Sequence, residues 1–210
     1  MFIRNAITDL IKLSVVSEND SVEAVLAGMQ GHLSLPCLTV DGTFLGMVSK
    51  RTIFERFQVV LEEGTTYPEF LKQQIQPCVD TSVPTLTRDS FFEDTLSIIT
   101  RYPFVPIVEN NELLGIVKRS DVNQALSIAF ATNVPTQRIL VGMAEVEGAL
   151  QRLFSITHRL GVNVVTAVPF DARRDALNRR VILKVSPTPK FDELCDDLQR
   201  AGYMLLDVKR

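Results

Sequence analysis

The chain has 210 residues, a formal net charge of −3, 46% hydrophobic and 22% charged residues, which is the composition of an ordinary soluble globular protein. No apolar run approaches the roughly 18 residues needed to cross a bilayer, and Met1-Phe2-Ile3-Arg4-Asn5 has no charged start followed by an apolar block, so neither a membrane span nor a signal peptide is expected and a cytoplasmic protein is. The three cysteines, Cys37, Cys78 and Cys195, lie far apart with no C-x-x-C, which argues against a disulfide framework or a zinc site and for small buried side chains.

Read in chain order, Lys12 to Val16 is expected to be a short strand. Asn19-Asp20-Ser21 offers capping side chains to a helix whose Val22, Val25, Leu26 and Met29 recur at helical spacing. Leu35 to Val40 is an apolar strand, Asp41-Gly42 a hairpin turn, and Phe44 to Ser49 the returning strand, followed by a helix from about Thr52. Helical stretches Phe54 to Leu61 and Pro68 to Ile75, broken at Glu63 to Thr66, are too long for a simple linker and should pack on the rest. The order then returns. Ser82 to Leu86 is a strand, Asp89-Ser90 caps a helix carrying Phe91, Leu96, Ile98 and Ile99, Phe104 to Val108 is a strand, Asn110-Asn111 a turn, Leu113 to Val117 a strand, and a helix begins at about Asp121.

This recurrence is literal. Leu45-Gly46-Met47-Val48-Ser49-Lys50-Arg51-Thr52-Ile53 comes back as Leu114-Gly115-Ile116-Val117-Lys118-Arg119-Ser120-Asp121-Val122, 69 residues later, and Asp20 comes back as Asp89 at the same offset. Two copies of one supersecondary unit are expected to pack on each other. Each copy has a glycine, a strand and a polar helix start; a helix N-terminus presents unpaired N–H groups and a positive dipole end, which suits a phosphate better than bond-breaking chemistry.

Beyond the linker Thr132 to Thr136 the pattern changes. Residues 1–135 hold 10 Lys/Arg against 16 Asp/Glu, whereas residues 136–210 hold 12 against 9, so the charge balance inverts at the same place. Arg138 to Met143 is a strand, Gly148 to Leu160 a helix with Leu150, Leu153, Phe154, Ile156 and Leu160 on one side, Val162 to Val168 a strand, Asp171 to Asn178 a polar loop, Arg180 to Val185 a strand, Phe191 to Ala201 a helix and Tyr203 to Val208 a strand. The order βαββαβ is that of a ferredoxin-like split sandwich. The basic residues here are scattered apart from Arg173-Arg174 and Arg179-Arg180, with no interleaved aromatic platform, so no nucleic-acid partner is expected.

The residues Gly46-Met47-Val48-Ser49-x-x-Thr52 and Gly115-Ile116-Val117-Lys118-x-x-Asp121, with Leu35-Pro36-Cys37-Leu38 and Val105-Pro106-Ile107-Val108, resemble the repeats of a tandem CBS-domain pair, a Bateman module. Glu145 to Leu150 and Gly161-Val162-Asn163-Val164-Val165 resemble two stretches of the ACT domain, and the combination is similar to AcuB-like bacterial proteins; Cys78 to Leu86 is also similar to small bacterial CBS proteins that bind cyclic di-AMP. The resemblance implies an α+β protein with CBS repeats over residues 1–66 and 67–132 and an ACT-like domain over 137–210.

It also implies a function. Such pairs bind an adenine nucleotide (AMP, ADP, ATP or cyclic di-AMP) as a regulatory ligand, with no catalytic cofactor, and act through a target protein that the sequence does not name; the ACT-like domain would serve homodimerisation or a second ligand. In the family one site joins the first strand of one repeat to the Ser/Thr-x-x-Asp motif of the other. Carried over, cleft A joins Lys12, Ser14 and Val16 to Lys118, Arg119 and Asp121, and cleft B joins Val83 and Thr85 to Ser49 and Thr52. Cleft A keeps the ribose-binding acid but has a lysine where a hydroxyl is usual; cleft B keeps the hydroxyl but has Thr52 in place of the acid. Lys12, Lys118 and Arg119 supply positive charge for more than one phosphate, so cleft A is the favoured site.

The same residue types have structural uses: Ser49 and Thr52 are helix-capping residues, and Asp121 is an early-turn helix acid. The two histidines, His32 and His158, have no nucleophile at a recognisable spacing, and there is no H-E-x-x-H, G-x-S-x-G or glycine-rich phosphate loop. An enzyme is therefore not expected. The alternative to a sensor is an oligomeric interaction scaffold without a small-molecule ligand.

Overall fold

The computed structural model describes residues 3–144, 146–171 and 179–210. The chain divides into two compact units, Met1–Asn123 and Gln124–Arg210, each described by itself.

In the first unit, strand β1 (Thr8–Asp9) is followed by a 3-10 turn, Leu10–Lys12, and by β2 (Val16–Ser17). The strand expected over Lys12 to Val16 is therefore only its last residue and the next one. Lys12 closes the turn, and the chain joins a sheet only where Val16 and Ser17 pair with Cys37 and Leu38, parallel to β3 (Ser34–Leu38). Helix α1 (Val22–Gly28) starts where the Ser21 hydroxyl accepts from the amide of Ala24 at 3.2 Å. β3 turns at Gly42, φ 81°, into the antiparallel β4 (Phe44–Ser49). Helix α2 (Lys50–Glu62) and the shorter α3 (Tyr67–Leu71) follow. Phe70, Ile75 and Cys78 are buried in one cluster with Val22, Val25, Met29 and Val48, so the expected packing of this connecting stretch is onto the first repeat.

The second repeat departs from the first at its start. Ser82 to Leu86 forms no strand; Leu86 alone bridges to Ile107. The expected helix begins as a 3-10 turn, Phe92–Asp94, and continues as α4 (Thr95–Ile99), leaving Phe91 outside it and exposed. β5 (Phe104–Glu109) and β6 (Glu112–Lys118) form an antiparallel hairpin. Its turn residues Asn110 and Asn111 have φ of 50° and 67°, the left-handed pair that a tight two-residue hairpin loop needs and asparagine tolerates. Helix α5 (Arg119–Ala129) begins directly at the end of β6.

Each repeat's hairpin is completed by a segment that precedes the other repeat. Thr8 and Asp9 pair antiparallel with Ile116 and Gly115 of β6. Asp80 bridges to Met47 of β4, with amide-to-carbonyl bonds in both directions at 3.0 and 2.8 Å. The repeated glycines are explained by this exchange: a Cβ on Gly115 would overlap the Thr8 carbonyl, and one on Gly46 the Asp80 carbonyl. The glycine of the repeat motif thus admits a crossing backbone.

The second unit runs β7 (Gln137–Met143), α6 (Ala149–Leu160), β8 (Val164–Asp171), β9 (Arg179–Val185), α7 (Phe191–Arg200) and β10 (Met204–Lys209). These strands make one antiparallel sheet in the order β10-β7-β9-β8. Ile139, Val141, Leu183 and Val185 from the sheet and Leu153, Ile156, Leu194 and Leu198 from the helices form one buried cluster; Phe154 is exposed. The Gly148 backbone, φ 77°, starts α6, and Gly161, φ 67°, ends it. The unit takes in the end of α5 because Lys184 Nζ donates to the carbonyls of Phe130 and Ala131 at 2.7 and 3.1 Å, and the Thr166 hydroxyl to that of Ala129 at 2.7 Å. Most of the expected Asp171 to Asn178 loop, the Arg173-Arg174 pair and Glu145 lie outside the described residues; Asp171 itself ends β8.

Candidate functional site

A cavity of about 590 Å³ in the first unit is lined by the turn at Lys12 to Ser14, the stretch Gly31 to Pro36, and the junction of β6 and α5. Of the six residues expected in cleft A, it brings together Lys12, Ser14, Lys118 and Arg119. The mechanism is the repeat itself. The last residue of β6 and the first of α5 are adjacent, so Lys118 and Arg119 stand at a strand–helix corner, and the N-terminal segment reaches this repeat because β1 is paired to β6.

The other two residues lie elsewhere. Val16 is packed in the apolar cluster with Val48 and Cys37, since β2 points it inward. Asp121 is half-buried in the first turn of α5, accepts from the Ser120 hydroxyl at 3.3 Å, and is not among the lining residues. Arg119 is anchored rather than loose: its guanidinium donates to the Tyr102 carbonyl at 2.7 Å, and its amide to the Pro103 carbonyl at 3.0 Å. Lys12 sits 4.0 Å from the Asp9 carboxylate with both side chains mostly exposed, a contact that water screens heavily.

Three polar lining residues were not among those expected from the sequence: His32, Ser34 and Ser120. Ser120 lies inside the repeat motif, between Arg119 and Asp121, and the motif pattern leaves that place unspecified. His32 and Ser34 lie in the approach to β3, where only the Leu35-Pro36 pattern was legible. The charges of the cavity wall are all positive or neutral. Lys12, Lys118, Arg119 and His32 line it, and no Asp or Glu is among its lining residues.

A second cavity, of about 350 Å³, shares Leu33, Ser34 and Pro103 with the first and contains Ser49 and Thr52 from cleft B. Val83 is buried and Thr85 exposed, and neither lines it. Ser49 and Thr52 are already engaged. The Thr52 amide donates to the Ser49 hydroxyl at 3.0 Å and the Ser49 amide to the Thr52 hydroxyl at 3.0 Å, a reciprocal capping box at the start of α2. The wall is of mixed sign: Lys50, Arg51 and Arg101 stand with Glu55 and Asp80. Arg51 pairs with Glu55 at 2.7 Å. Burial alone would raise the Asp80 carboxyl, but the Ser82 hydroxyl and amide at 2.6 and 2.9 Å, with Arg101 nearby, hold it below the usual carboxylate range, so it is charged. The first wall therefore carries positive charge without a carboxylate, whereas the second sets two carboxylates among its cations.

The architecture of two exchanged β-hairpin repeats agrees with the family comparison. The CBS domain model matches residues 6–59 and 75–128, and the chain belongs to the CBS-domain family, with two copies of the domain. No curated protein matches it. Among solved structures, the chain is similar to CbpB in complex with c-di-AMP (17% identity, 60% of this chain and 85% of that one, TM-score 0.52). It is similar also to CbpB from Streptococcus agalactiae (18% identity, 62% and 85%, TM-score 0.52) and to a hypothetical conserved protein from Geobacillus kaustophilus (18% identity, 60% and 96%, TM-score 0.54). At these identities the likeness is one of fold. Among the described residues no helix is long and apolar enough to cross a membrane, and no group of three or more His, Cys, Asp or Glu is placed to hold a metal ion.

Proposed function

We propose that this protein is a non-enzymatic regulatory sensor in the cytoplasm, and that its CBS pair binds an adenine nucleotide bearing more than one phosphate group in the cavity lined by Lys12, Ser14, Lys118 and Arg119. The observation that carries this reading is the sign of that wall: several cationic side chains and no carboxylate in a cavity of about 590 Å³, a volume suited to a small ligand. Its apolar side, Leu33, Leu35, Pro103 and Ile116, offers a surface for a flat base, and Lys118, Arg119 and Ser120 at the start of α5 offer charge and donors to phosphate. A CBS protein of similar fold is known in complex with c-di-AMP, which supports the ligand class. ATP and ADP bring more negative charge to this wall than AMP, and c-di-AMP brings two separate phosphates.

The second unit we read as a ferredoxin-like, ACT-like domain, from its βαββαβ order and its β10-β7-β9-β8 sheet. Its role in this reading is homodimerisation: β8 and β10 are edge strands carrying the exposed Val165, Phe170, Met204 and Leu206, and open edges and apolar patches are what partners cover. Ligand-dependent changes in the CBS pair would then be read by a target protein.

Calorimetric titration of the full chain with AMP, ADP, ATP, NAD, S-adenosylmethionine and c-di-AMP tests the ligand. Saturable binding of a polyphosphate or dinucleotide, weakened in Lys118→Ala and Arg119→Ala, is expected. Absence of heat with every ligand would leave an interaction scaffold, and sedimentation equilibrium showing a monomer would remove the dimer role.

A further inference from the structure

The cavity contains one titratable side chain beyond those expected in cleft A. His32 lines it together with Gly31, at the exit of α1. Its place is held by the backbone: Gly31, φ 82°, turns the chain out of the helix, and the His32 amide donates at 3.0 Å to the carbonyl of Met29, a fully buried residue. The charged groups that line the same cavity are Lys12 after the N-terminal turn, Lys118 at the end of β6 and Arg119 at the start of α5. No carboxylate lines it to hold an imidazolium on its own.

Phosphate oxygens entering among these cations supply the missing negative partner. They favour the protonated imidazole, which donates from both ring nitrogens. Imidazole is also the side chain whose charge changes near neutral pH. We infer that His32 is a phosphate-binding residue of this site and takes up a proton from solvent as a polyanionic ligand enters, so that occupancy rises as pH falls. The inference rests on the nucleotide reading above and adds to it a specific contact and a regulating condition.

The test is titration calorimetry of the full chain with c-di-AMP, whose phosphodiesters do not titrate near neutrality, and with ATP. It is run at about pH 6 and pH 8, in buffers of different ionisation enthalpy. The expected result is on the order of tenfold tighter binding at the lower pH, with proton uptake seen as a buffer-dependent heat. With c-di-AMP, His32→Ala should bind equally at both pH values without uptake, and His32→Lys should bind tightly at both. Binding of c-di-AMP that ignores pH, or uptake with c-di-AMP that survives in His32→Ala, overturns the role of His32 and leaves the nucleotide reading intact. Absence of binding with both ligands at both pH values overturns that reading and this inference together.

Discussion

Arg119 is held on two sides, by its amide on the Pro103 carbonyl and its guanidinium on the Tyr102 carbonyl, and it still lines the cationic cavity. A pre-placed guanidinium loses little freedom on gripping a phosphate. Arg119→Ala is therefore expected to weaken ATP binding about tenfold or more, the worth of a charge-assisted contact. Asp121→Ala should weaken it less, because that carboxylate is outside the wall and engaged with Ser120. Calorimetry of both variants decides, and a larger loss for Asp121→Ala would return the ribose role to it. Gly115 carries a different kind of constraint. A methyl group there meets the Thr8 carbonyl, so Gly115→Ala must displace β1 from β6, at an expected cost of about 1–3 kcal/mol in urea unfolding. Full stability in that variant would show that the crossing strand is dispensable.

At the scale of elements, the helix starts that follow the two repeated hairpins have diverged in use. α2 begins with the closed Ser49–Thr52 capping box, whereas the junction of β6 and α5 sets Lys118, Arg119 and Ser120 on a cavity wall. The capping box engages the amides of Thr52 and Ser49 internally, so those two groups are not offered to a ligand. Ser49→Ala is accordingly expected to cost about 1 kcal/mol of stability and to leave ATP affinity unchanged; a loss of affinity would reassign cleft B as the working site. This divergence was half legible. The substitution of Thr52 for Asp121 is visible in the repeat alignment, and Ser and Thr at that spacing read as caps. What was not legible was the loss of the strands expected at Lys12 to Val16 and Ser82 to Leu86. Both stretches alternate or cluster apolar residues, but few of their backbone groups find a partner: Val16 and Ser17 pair with β3, and Leu86 alone reaches Ile107.

For the whole molecule, burial of two thiols ties stability to alkaline pH. Burial pushes the Cys37 thiol up to about 12, with Glu18 and Asp20 adding to the effect, and pushes Cys78 up to about 11. In an unfolded chain such thiols ionise at about pH 8.5. Their contribution to folding is then complete below about pH 8.5 and is lost as pH rises through about 11 and 12. Urea midpoints should fall between about pH 8 and pH 10.5 by less in Cys37→Ala than in the parent; an identical fall would exclude this thiol as the cause. The two units, each with its own buried cluster, should also separate by mutation. Leu194→Ala opens the core of the second unit, where Leu194 is fully buried. It should cost about 2–5 kcal/mol while leaving nucleotide affinity within error, as read by combined denaturation and calorimetry.

Read alone, the sequence determined the duplication, the hairpins, the βαββαβ order of the last third and the residues Lys118 and Arg119 of the candidate site, because these depend on local periodicity, turn chemistry and a motif that repeats. Only the tertiary structure decided that Thr8 and Asp9 pair with β6 and Asp80 with β4, and that Gly46 and Gly115 make room for them. It alone put His32 and Ser34 on the wall with Lys12 and turned Val16 inward. The reason is physical: strand exchange and cavity walls are made by backbone groups and side chains far apart in the chain, whose meeting is governed by packing of the whole unit and leaves no period or spacing to read.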